Sequence, residues 1–383
     1  MRIFQLHCRY RVAGGEDTVV EAEREALGAA GHEVAGLTTR NRDDLRAAGQ
    51  LVTAVWNPAA ARRVAAAVNA FRPDVVHVHN TWFGFGVAPV VRVSKAGTPV
   101  VMTLHNYRLT CANGLLLRDE KPCFLCVDGS ALNGALHNCY RDPISSAIAA
   151  SNVALHRRLG SWVDNVERFI SLTSFARSVF TRAGVPAAMI DIVPNWVEDP
   201  GRRSRPPSAS NTVLYVGRLS PSKGVETLLS AWREARPDGL QLKLVGEGPL
   251  LGPNDSEAGI QFVGRMDRSD VIEEMLRARA LCIPSQWFEG QPMVALEAMT
   301  AGLPVLASRL GGLEETLSPL GEEWLVTPST VEEWKRALAR LNNGPKLDEY
   351  SAIARRRAQS IHSQTAAVSA LERVYRSAIE SRV

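Results

Sequence analysis

Short apolar runs recur along this chain, separated by longer stretches whose apolar residues follow a helical spacing. Runs that alternate with amphipathic helices are typical of parallel β-sheets with helical crossovers. Gly31 marks the end of the first helix, because glycine readily adopts the left-handed backbone that closes a helix. We predict that helix at 17–30, and strands at 2–6, 33–37, 74–78, 99–104 and 168–172.

The segment 199–210 is rich in proline, serine and arginine, and it predicts a linker. The alternation of strand and helix restarts after it. The predicted fold class is therefore α/β, with two doubly wound domains whose ligands bind at the carboxyl ends of the strands. The second half is predicted to hold strands at 212–217, 240–245, 260–263, 280–284 and 304–307, and helices at 224–235, 269–277, 292–301, 331–342 and 347–380.

Composition narrows the class of protein. The 383 residues are 45% hydrophobic and 22% charged, which is ordinary for a globular chain. No apolar run reaches the roughly 18 residues that span a bilayer. The start Arg2-Ile3-Phe4 predicts a strand rather than a signal peptide. We therefore expect a cytoplasmic protein.

The net charge of +4 lies in the first half of the chain. Residues 1–198 carry 21 Lys and Arg against 17 Asp and Glu, whereas the remainder carries 23 of each. A solvated helix face explains such an excess, and contact with an anionic acceptor or with lipid headgroups at the inner membrane face is the alternative. The excess is too small for a nucleic-acid partner. The arginines concerned are Arg157, Arg158, Arg168, Arg177 and Arg182.

Two carboxylates, Glu289 and Glu297, stand eight positions apart around the start of a predicted helix. Pro292 suits the first helical position, and Gly302 suits the end of the helix. Unpaired backbone N–H groups at such a start face anionic ligands. A sugar nucleotide fits this arrangement, with carboxylates for its hydroxyls and amides for its diphosphate.

Two cations, Arg218 and Lys223, flank the turn after the predicted strand 212–217. Both can bind one diphosphate, the arginine through its planar fork and the lysine as a point charge. No Asp-x-Asp pair occurs in the chain, so we expect no catalytic metal. Surface salt bridging is the alternative for such cations.

Other strand ends carry weaker signals. Gly248 lies in a Gly-x-Gly-Pro turn, and Arg265 follows the strand 260–263, either near a nucleobase or simply in solvent. Gly15 follows Gly14 between the first strand and helix, where backbone can approach a ligand closely. His105 ends the strand 99–104 and is either a core residue or a site residue. His77 and His79 project to one face, but the sequence shows no third metal ligand for them.

Four cysteines fall within the predicted insertion 107–140. Their spacing is Cys-x11-Cys-x2-Cys-x12-Cys, and the central Cys-x2-Cys is a common start of a tetrahedral zinc site. A reducing compartment disfavours disulfides. We therefore expect a structural zinc ion, with four ordinary thiols or an iron–sulfur cluster as alternatives. The residues are Cys111, Cys123, Cys126 and Cys139.

These motifs together resemble those of the retaining GT-B glycosyltransferases. Among these enzymes, they are most similar to family 4, also called glycosyl transferases group 1. The resemblance covers nearly the whole chain and is most specific at the Glu289–Glu297 and Arg218–Lys223 pairs. The family usually has Pro-Asn-Gly at the domain crossover, where this chain has Trp196 in place of the glycine. The other matching segments are Gly14-Gly15-Glu16, 74–80, 103–105, Pro194-Asn195 and 245–249.

The resemblance implies transfer of a sugar from a nucleoside diphosphate with retained configuration. It implies that Glu289 and His105 contact the sugar, that Glu297 binds the ribose, and that Arg218 and Lys223 hold the diphosphate. The leaving phosphate would take the acceptor proton. Further donor contacts would come from Gly15, Gly248, Arg265, Gly290, Gln291, Pro292, Met293 and Val294.

The resemblance also implies a domain plan. Residues 1–198 would form an acceptor-side domain, residues 199–363 the nucleotide-sugar domain facing it across a cleft, and residues 364–383 a helix crossing back. The acceptor stays open among a lipid-linked glycan, a polysaccharide and a small molecule. A sugar-nucleotide epimerase or phosphorylase, and a non-catalytic nucleotide-sugar-binding protein, are the competing functions.

Overall fold

The computed structural model describes residues 1–10, 14–41, 53–327 and 329–382. The chain divides into two compact units. The first unit comprises Met1–Leu116, Cys123–Pro194 and Ala367–Val383, and the second comprises Leu117–Pro122 and Asn195–Ala366. No described helix is long and apolar enough to cross a membrane.

The described strands are numbered β1 to β14 in chain order. They are β1 Arg2–Arg9, β2 Glu33–Arg40, β3 Val75–Asn80, β4 Val100–Leu104, β5 Leu117–Arg118, β6 Lys121–Pro122, β7 Arg168–Ser171, β8 Ile190–Ile192, β9 Thr212–Val216, β10 Gln241–Val245, β11 Ile260–Gly264, β12 Ala280–Ile283, β13 Val305–Ser308 and β14 Leu325–Val326.

The described α-helices are numbered α1 to α14. They are α1 Gly15–Ala29, α2 Pro58–Phe71, α3 Ala88–Lys95, α4 Leu125–Asp128, α5 Asn133–Leu136, α6 Pro143–Arg158, α7 Ser174–Arg182, α8 Val225–Ala235, α9 Arg268–Arg277, α10 Met293–Thr300, α11 Gly312–Leu317, α12 Val331–Leu338, α13 Gly344–Ile361 and α14 Gln364–Glu380.

Each unit is built on a six-stranded parallel sheet. The strand order is β2-β1-β3-β4-β7-β8 in the first unit and β11-β10-β9-β12-β13-β14 in the second. The central strands are buried on both faces, as parallel strands covered by helices must be. Parallel pairing also places the carboxyl ends of neighbouring strands at one sheet edge, where the turns after them meet.

The predicted strands are all present, with ends shifted by at most three residues. The sequence missed the short strands β5, β6, β8 and β14. The predicted helix 347–380 is wrong as one element, since α13 ends at Ile361 and α14 begins at Gln364. His362 interrupts it, because its buried ring donates from Nδ1 to the Asn195 carbonyl over 2.9 Å.

The segment 199–210 is not a free linker, because its side chains bind the second unit. Arg355 Nη2 donates to both carboxylate oxygens of Asp199, and the Ser208 hydroxyl donates to Asp348. The Arg203 guanidinium donates to the carbonyls of Met275 and Ala278 at the end of α9. Composition alone suggested flexibility here, whereas charged and hydroxyl side chains fix the segment.

Candidate functional site

Glu289 is the centre of a polar cluster in the second unit. It follows strand β12 and is buried, and its carboxylate accepts hydrogen bonds from Ser285 Oγ and from Lys223 Nζ, the latter at 2.8 Å. The Lys223 ammonium also lies 5.2 Å from the centre of the Trp287 ring. Because β9 and β12 are neighbours, the turns after them bring residues 66 positions apart into contact.

The short turn that contains Lys223 ends at Gly224, and its conformation depends on that glycine. Its φ is +69°, and a Cβ there would lie 1.8 Å from the Pro284 carbonyl oxygen. Only glycine permits that approach, which holds the lysine turn against the segment leading to Glu289. Arg218 stands exposed at the start of the same turn, with no carboxylate within salt-bridge distance among the described residues.

Gly248 belongs to a second turn that packs on the first. A Cβ at Gly248 would lie 2.2 Å from the Leu219 carbonyl oxygen, and the Leu219 amide donates to the Glu247 carbonyl over 2.9 Å. The two glycine-containing turns thus form one continuous backbone surface at this sheet edge. Arg265 follows the edge strand β11 and is exposed, and no described contact links it to the Glu289 cluster.

Helix α10 begins at Met293, so the prediction that Pro292 occupies the first helical position is wrong by one residue. Pro292 is the residue before the helix, with extended ψ of 126°, and no side chain caps the helix. The amides of the first turn of α10 are therefore without a side-chain cap, as at helix starts that bind anions. Gly302, with φ of +64°, follows the helix as predicted.

Gln291 and Glu297 are held by partners that the sequence did not reveal. The Gln291 side-chain oxygen accepts from the Asn195 amide at 2.7 Å, so this side chain anchors the Pro194-Asn195 motif. Glu297 accepts from Arg268 Nε at 3.1 Å. Burial raises the pKa of Glu297, and the Arg268 guanidinium opposes that shift.

His105 lies in the first unit, at the end of β4. Its Nε2 is 3.1 Å from Nδ1 of His79, which belongs to β3. Burial is the main cause that lowers the pKa of both rings, to about 4 for His79 and well below the usual range for His105. Both imidazoles are therefore neutral at physiological pH. The two rings line a cavity of about 40 Å³, enough for a few water-sized groups.

Glu23 of α1 supplies the third ligand that the sequence did not show beside His77 and His79. One carboxylate oxygen lies 2.9 Å from His77 Nδ1 and 3.4 Å from His79 Nε2. By distance alone the three atoms can surround a metal ion. His77 is also hydrogen-bonded within the core to Tyr375 and Thr103, whereas His79 Nε2 makes no hydrogen bond in the described part of the chain.

Glu16, which the sequence analysis named only as part of the matching segment Gly14-Gly15-Glu16, is a further functional candidate. Gly15 is exposed and opens α1, and Glu16 follows it. Burial, reinforced by the nearby Asp17 carboxylate, raises the pKa of Glu16 to about 8. Asn106 Nδ2 contacts its carboxyl at 3.4 Å. At neutral pH Glu16 is mainly a protonated acid, able to donate a proton or a hydrogen bond.

The four cysteines of the insertion lie in one region of the first unit without forming a ready-made metal site. Burial raises the pKa of Cys126 to about 12, and the nearby Cys111, Cys139 and Cys123 add to the shift. In the described structure, no three of their sulfur atoms lie within 4.8 Å of one another. Cys111 Sγ instead donates to Asn113, and Cys126 Sγ to the Ala131 carbonyl.

The sequence analysis missed four residues near the candidate groups: Ser285, Trp287, Arg268 and Glu23. Two of them carry a local sequence signal that could have identified them, and two do not. Ser285 and Trp287 lie between β12 and Glu289, so the strand-end rule could have identified them. Arg268 and Glu23 come from helices, and each reaches its partner only through tertiary packing within its own unit, Arg268 at Glu297 and Glu23 at His79. No local pattern in the sequence indicates that proximity.

Two family models match this chain. One described as "Glycosyl transferase 4-like domain" matches residues 14–196, and one described as "Glycosyl transferases group 1" matches residues 201–358. Together they span most of both units.

Several similar proteins are named as glycosyltransferases. An MMP alpha-(1->4)-mannosyltransferase of Mycolicibacterium hassiacum is 29% identical over 312 residues, which are 77% of this chain and 70% of that protein. A GDP-mannose-dependent alpha-(1-6)-phosphatidylinositol monomannoside mannosyltransferase of Mycobacterium tuberculosis is 30% identical over 211 residues, which are 48% of this chain and 54% of that protein. The chain also spans 55% of a Mycobacterium tuberculosis glycogen synthase.

Solved structures with the same fold span the whole chain. HepE of Anabaena, in complex with UDP, has a TM-score of 0.66 at 17% identity and covers 98% of this chain and 100% of its own. Sucrose-phosphate synthase of Thermosynechococcus elongatus has a TM-score of 0.70 at 19% identity, with 100% of both chains covered. At these identities the likeness concerns the fold, and it confirms the predicted GT-B architecture. The two family models and the shared fold lead to one conclusion: this chain belongs to the group 1 glycosyltransferases of the GT-B fold.

Proposed function

We propose that this glycosyltransferase moves a sugar from a nucleoside diphosphate to a glycan, lipid-linked or small-molecule acceptor, with retention of configuration and without a divalent metal. The observation that carries this proposal is the contact between Lys223 and Glu289. A carboxylate for sugar hydroxyls and a cation for a diphosphate lie 2.8 Å apart, beside a helix start that no side chain caps.

The donor is proposed to bind mainly through the second unit. Glu289 and the backbone of Gly290, Gln291, Pro292, Met293 and Val294 take the sugar, and Glu297 takes the ribose hydroxyls. Arg218 and Lys223 take the diphosphate, with Gly248 and Arg265 nearer the nucleoside. HepE is described in complex with UDP-glucose, and one relative is named for GDP-mannose, so a nucleotide sugar is supported while the base stays open.

The first unit is proposed to supply Gly15 to the diphosphate and His105 to the sugar. In the transfer step, an acceptor hydroxyl oxygen forms the new bond to the anomeric carbon as the bond to the diphosphate oxygen breaks. The bonding electrons leave with the diphosphate, whose oxygen takes the acceptor proton. Lys223 and Arg218 stabilise the negative charge that develops there, which replaces the usual role of a divalent ion.

The cysteines of the insertion are proposed to bind one structural zinc ion. The Cys-x2-Cys spacing at Cys123 and Cys126 supports this, together with Cys111 and Cys139 at nearly equal distances on either side in sequence. Metal binding would draw the four sulfur atoms together and replace the present thiol hydrogen bonds. The ion would stiffen a segment built of short elements.

A peripheral contact with an anionic membrane is proposed for the outer face of α6. Its exposed residues Ile144, Ala147, Ser151, Leu155 and Arg158 recur at helical spacing and therefore share one side. Ile144 is 74% exposed, and Leu136 of the preceding helix α5 is 77% exposed. Apolar side chains of this size are seldom left exposed together on a surface without a partner.

Cations border this apolar face. Arg141 and Arg158 are exposed, and neither has a carboxylate within salt-bridge distance in the described part of the chain. Apolar side chains bordered by arginines are typical of surfaces that enter the headgroup region of anionic bilayers. Such a contact would bring the enzyme to a lipid-linked acceptor.

Calorimetry with UDP, GDP, ADP and dTDP in EDTA tests donor binding. We expect one of them to bind, and Glu297→Ala to weaken that binding about 10- to 100-fold, because a charged acceptor of ribose hydrogen bonds is lost. Glu349→Ala, which removes an exposed carboxylate of α13, is the matched control and should bind as wild type. Binding that requires Mg²⁺, or none at all, contradicts the proposal.

Metal analysis of protein purified without added metal tests the zinc proposal. About one zinc per chain is expected, because four thiolates complete a tetrahedral site. Cys123→Ser should lose the ion, whereas Cys282→Ala, in the buried strand β12, should keep it. A fully active protein that contains no metal and only reduced thiols would rule the zinc site out.

Sedimentation with vesicles tests the membrane contact. Wild-type protein should bind vesicles of phosphatidylcholine with phosphatidylglycerol better than phosphatidylcholine alone. The double variant Leu136→Gln, Ile144→Gln should bind at least about tenfold less, because two inserted side chains are lost. Leu251→Gln, at an exposed leucine of the second unit, is the control. If the double variant binds vesicles as well as the Leu251→Gln control does, this surface is not the membrane contact. Self-association of the protein in place of vesicle binding would exclude it too.

A further inference from the structure

A buried network connects Glu23 to His105 through His79. Glu23 lies on the inner face of α1 and is 5% exposed, and His77 and His79 on β3 are 0% and 2% exposed. The described contacts run from Glu23 Oε1 to His79 Nε2 at 3.4 Å, and from His79 Nδ1 to His105 Nε2 at 3.1 Å. The donor-binding proposal uses His105 but gives no role to the two residues behind it.

Glu23 is an ionised carboxylate inside the first unit. Its oxygen Oε1 lies 2.9 Å from His77 Nδ1, and the polar groups around it include donors of the kind that stabilise an ionised carboxylate. An ionised carboxylate only accepts hydrogen bonds. Its neighbours must therefore donate to it, and they include Gln5 Nε2 at 3.2 Å and the Tyr375 hydroxyl at 3.4 Å.

This requirement decides where the protons of the next two rings lie. His79 Nε2 makes no hydrogen bond of normal geometry in the described part of the chain, and the Glu23 carboxylate oxygen lies 3.4 Å from it. An unprotonated Nε2 would set its lone pair against that negative charge, so the proton of His79 lies on Nε2. A neutral His79 then has an unprotonated Nδ1, which accepts from His105 Nε2. A neutral His105 that donates from Nε2 has its lone pair on Nδ1.

We propose that Glu23, acting through His79, fixes the tautomer of His105 with the proton on Nε2 and the acceptor lone pair on Nδ1. Glu23 and His79 are thus positioning residues for the site. The inference rests on the proposed function, in which His105 contacts the transferred sugar. Its chemical consequence is that His105 accepts a hydrogen bond from a sugar hydroxyl and does not donate one to a carbonyl or phosphate oxygen.

The C-terminal helix takes part in the same network. The Tyr375 hydroxyl of α14 lies 2.8 Å from His77 Nδ1, and His77 Nε2 lies 2.8 Å from the Thr103 hydroxyl. This branch supports Glu23 without lying on the path to His105. Tyr375→Phe therefore removes a buried polar group from the network while it leaves the tautomer path intact, which makes it the matched control.

Imidazole ¹⁵N spectra of the full-length protein, with ¹⁵N-labelled histidine, test the proposal directly. The signals of His105 are identified by their loss in His105→Gln. We expect His105 in the Nε2–H form in wild type and in Tyr375→Phe, and a substantial Nδ1–H population in Glu23→Gln, because an amide can donate as well as accept. An Nδ1–H ring in wild type, or no change in Glu23→Gln, overturns the proposal.

A second variant covers the case in which Glu23→Gln does not fold. In His79→Asn, the side-chain oxygen can accept from His105 Nε2 near the former Nδ1 position, so His105 should stay in the Nε2–H form. His79→Leu offers no acceptor, so His105 should no longer be held in that form. If both variants show the same tautomer mixture, His79 does not transmit the constraint and the proposal fails.

Binding measurements separate this inference from the proposed function. Using the nucleotide that calorimetry selects, Glu23→Gln should bind the nucleoside diphosphate as wild type does, but its glucose conjugate about tenfold or more weakly than wild type, because one hydrogen bond to the sugar is lost. Equal weakening of both ligands, or of neither, contradicts the role of Glu23. Absence of nucleotide binding in wild type contradicts the proposed function, and the tautomer spectra then decide the present inference alone.

Discussion

Parallel strand pairing is the constraint on which both units depend. It requires helical crossovers on the sheet faces, and it places every strand's carboxyl end at one edge. In the second unit this brings the turns after β9 and β12 together, so that Lys223 and Glu289 form a 2.8 Å contact across 66 residues of sequence. The glycines of these turns allow backbone-to-backbone packing that no Cβ would permit, as at Gly224. The chemistry of the site is thus a consequence of sheet topology.

The first unit uses the same topology to bury charge. Strands β3 and β4 are neighbours, so His79 and His105 meet at their ends, and α1 packs Glu23 against them. Burying an ionised carboxylate costs free energy unless donors surround it, and here Gln5 and the Tyr375 hydroxyl donate to Glu23. The contacts of such a network leave few possible positions for its protons. The neutral rings of His79 and His105 contrast with Glu16, whose raised pKa of about 8 leaves it a protonated acid.

Strands, helices and the strand-end residues could be predicted from sequence because short apolar runs and helical apolar spacing, with glycine at the ends, are local signals. The Glu289–Glu297 spacing with Arg218 and Lys223 indicated the family for the same reason. The separation of α13 from α14 at His362 could not be predicted, since it depends on a hydrogen bond to Asn195 from 167 residues away. Arg268 beside Glu297, Glu23 beside two histidines, and the anchored segment 199–210 likewise depend on tertiary contacts. Cysteine spacing predicts zinc, but spacing alone does not determine where sulfur atoms lie.

The central claim is that a diphosphate is held by fixed cations at the edge of the second sheet. The most direct measurement is a crystal structure of the protein grown with the nucleoside diphosphate that it binds, in EDTA. The account predicts phosphate oxygens within hydrogen-bond distance of Lys223 Nζ and the Arg218 guanidinium, with ribose hydroxyls on Glu297. A diphosphate located elsewhere, or ordered only when a divalent ion is added, would contradict it.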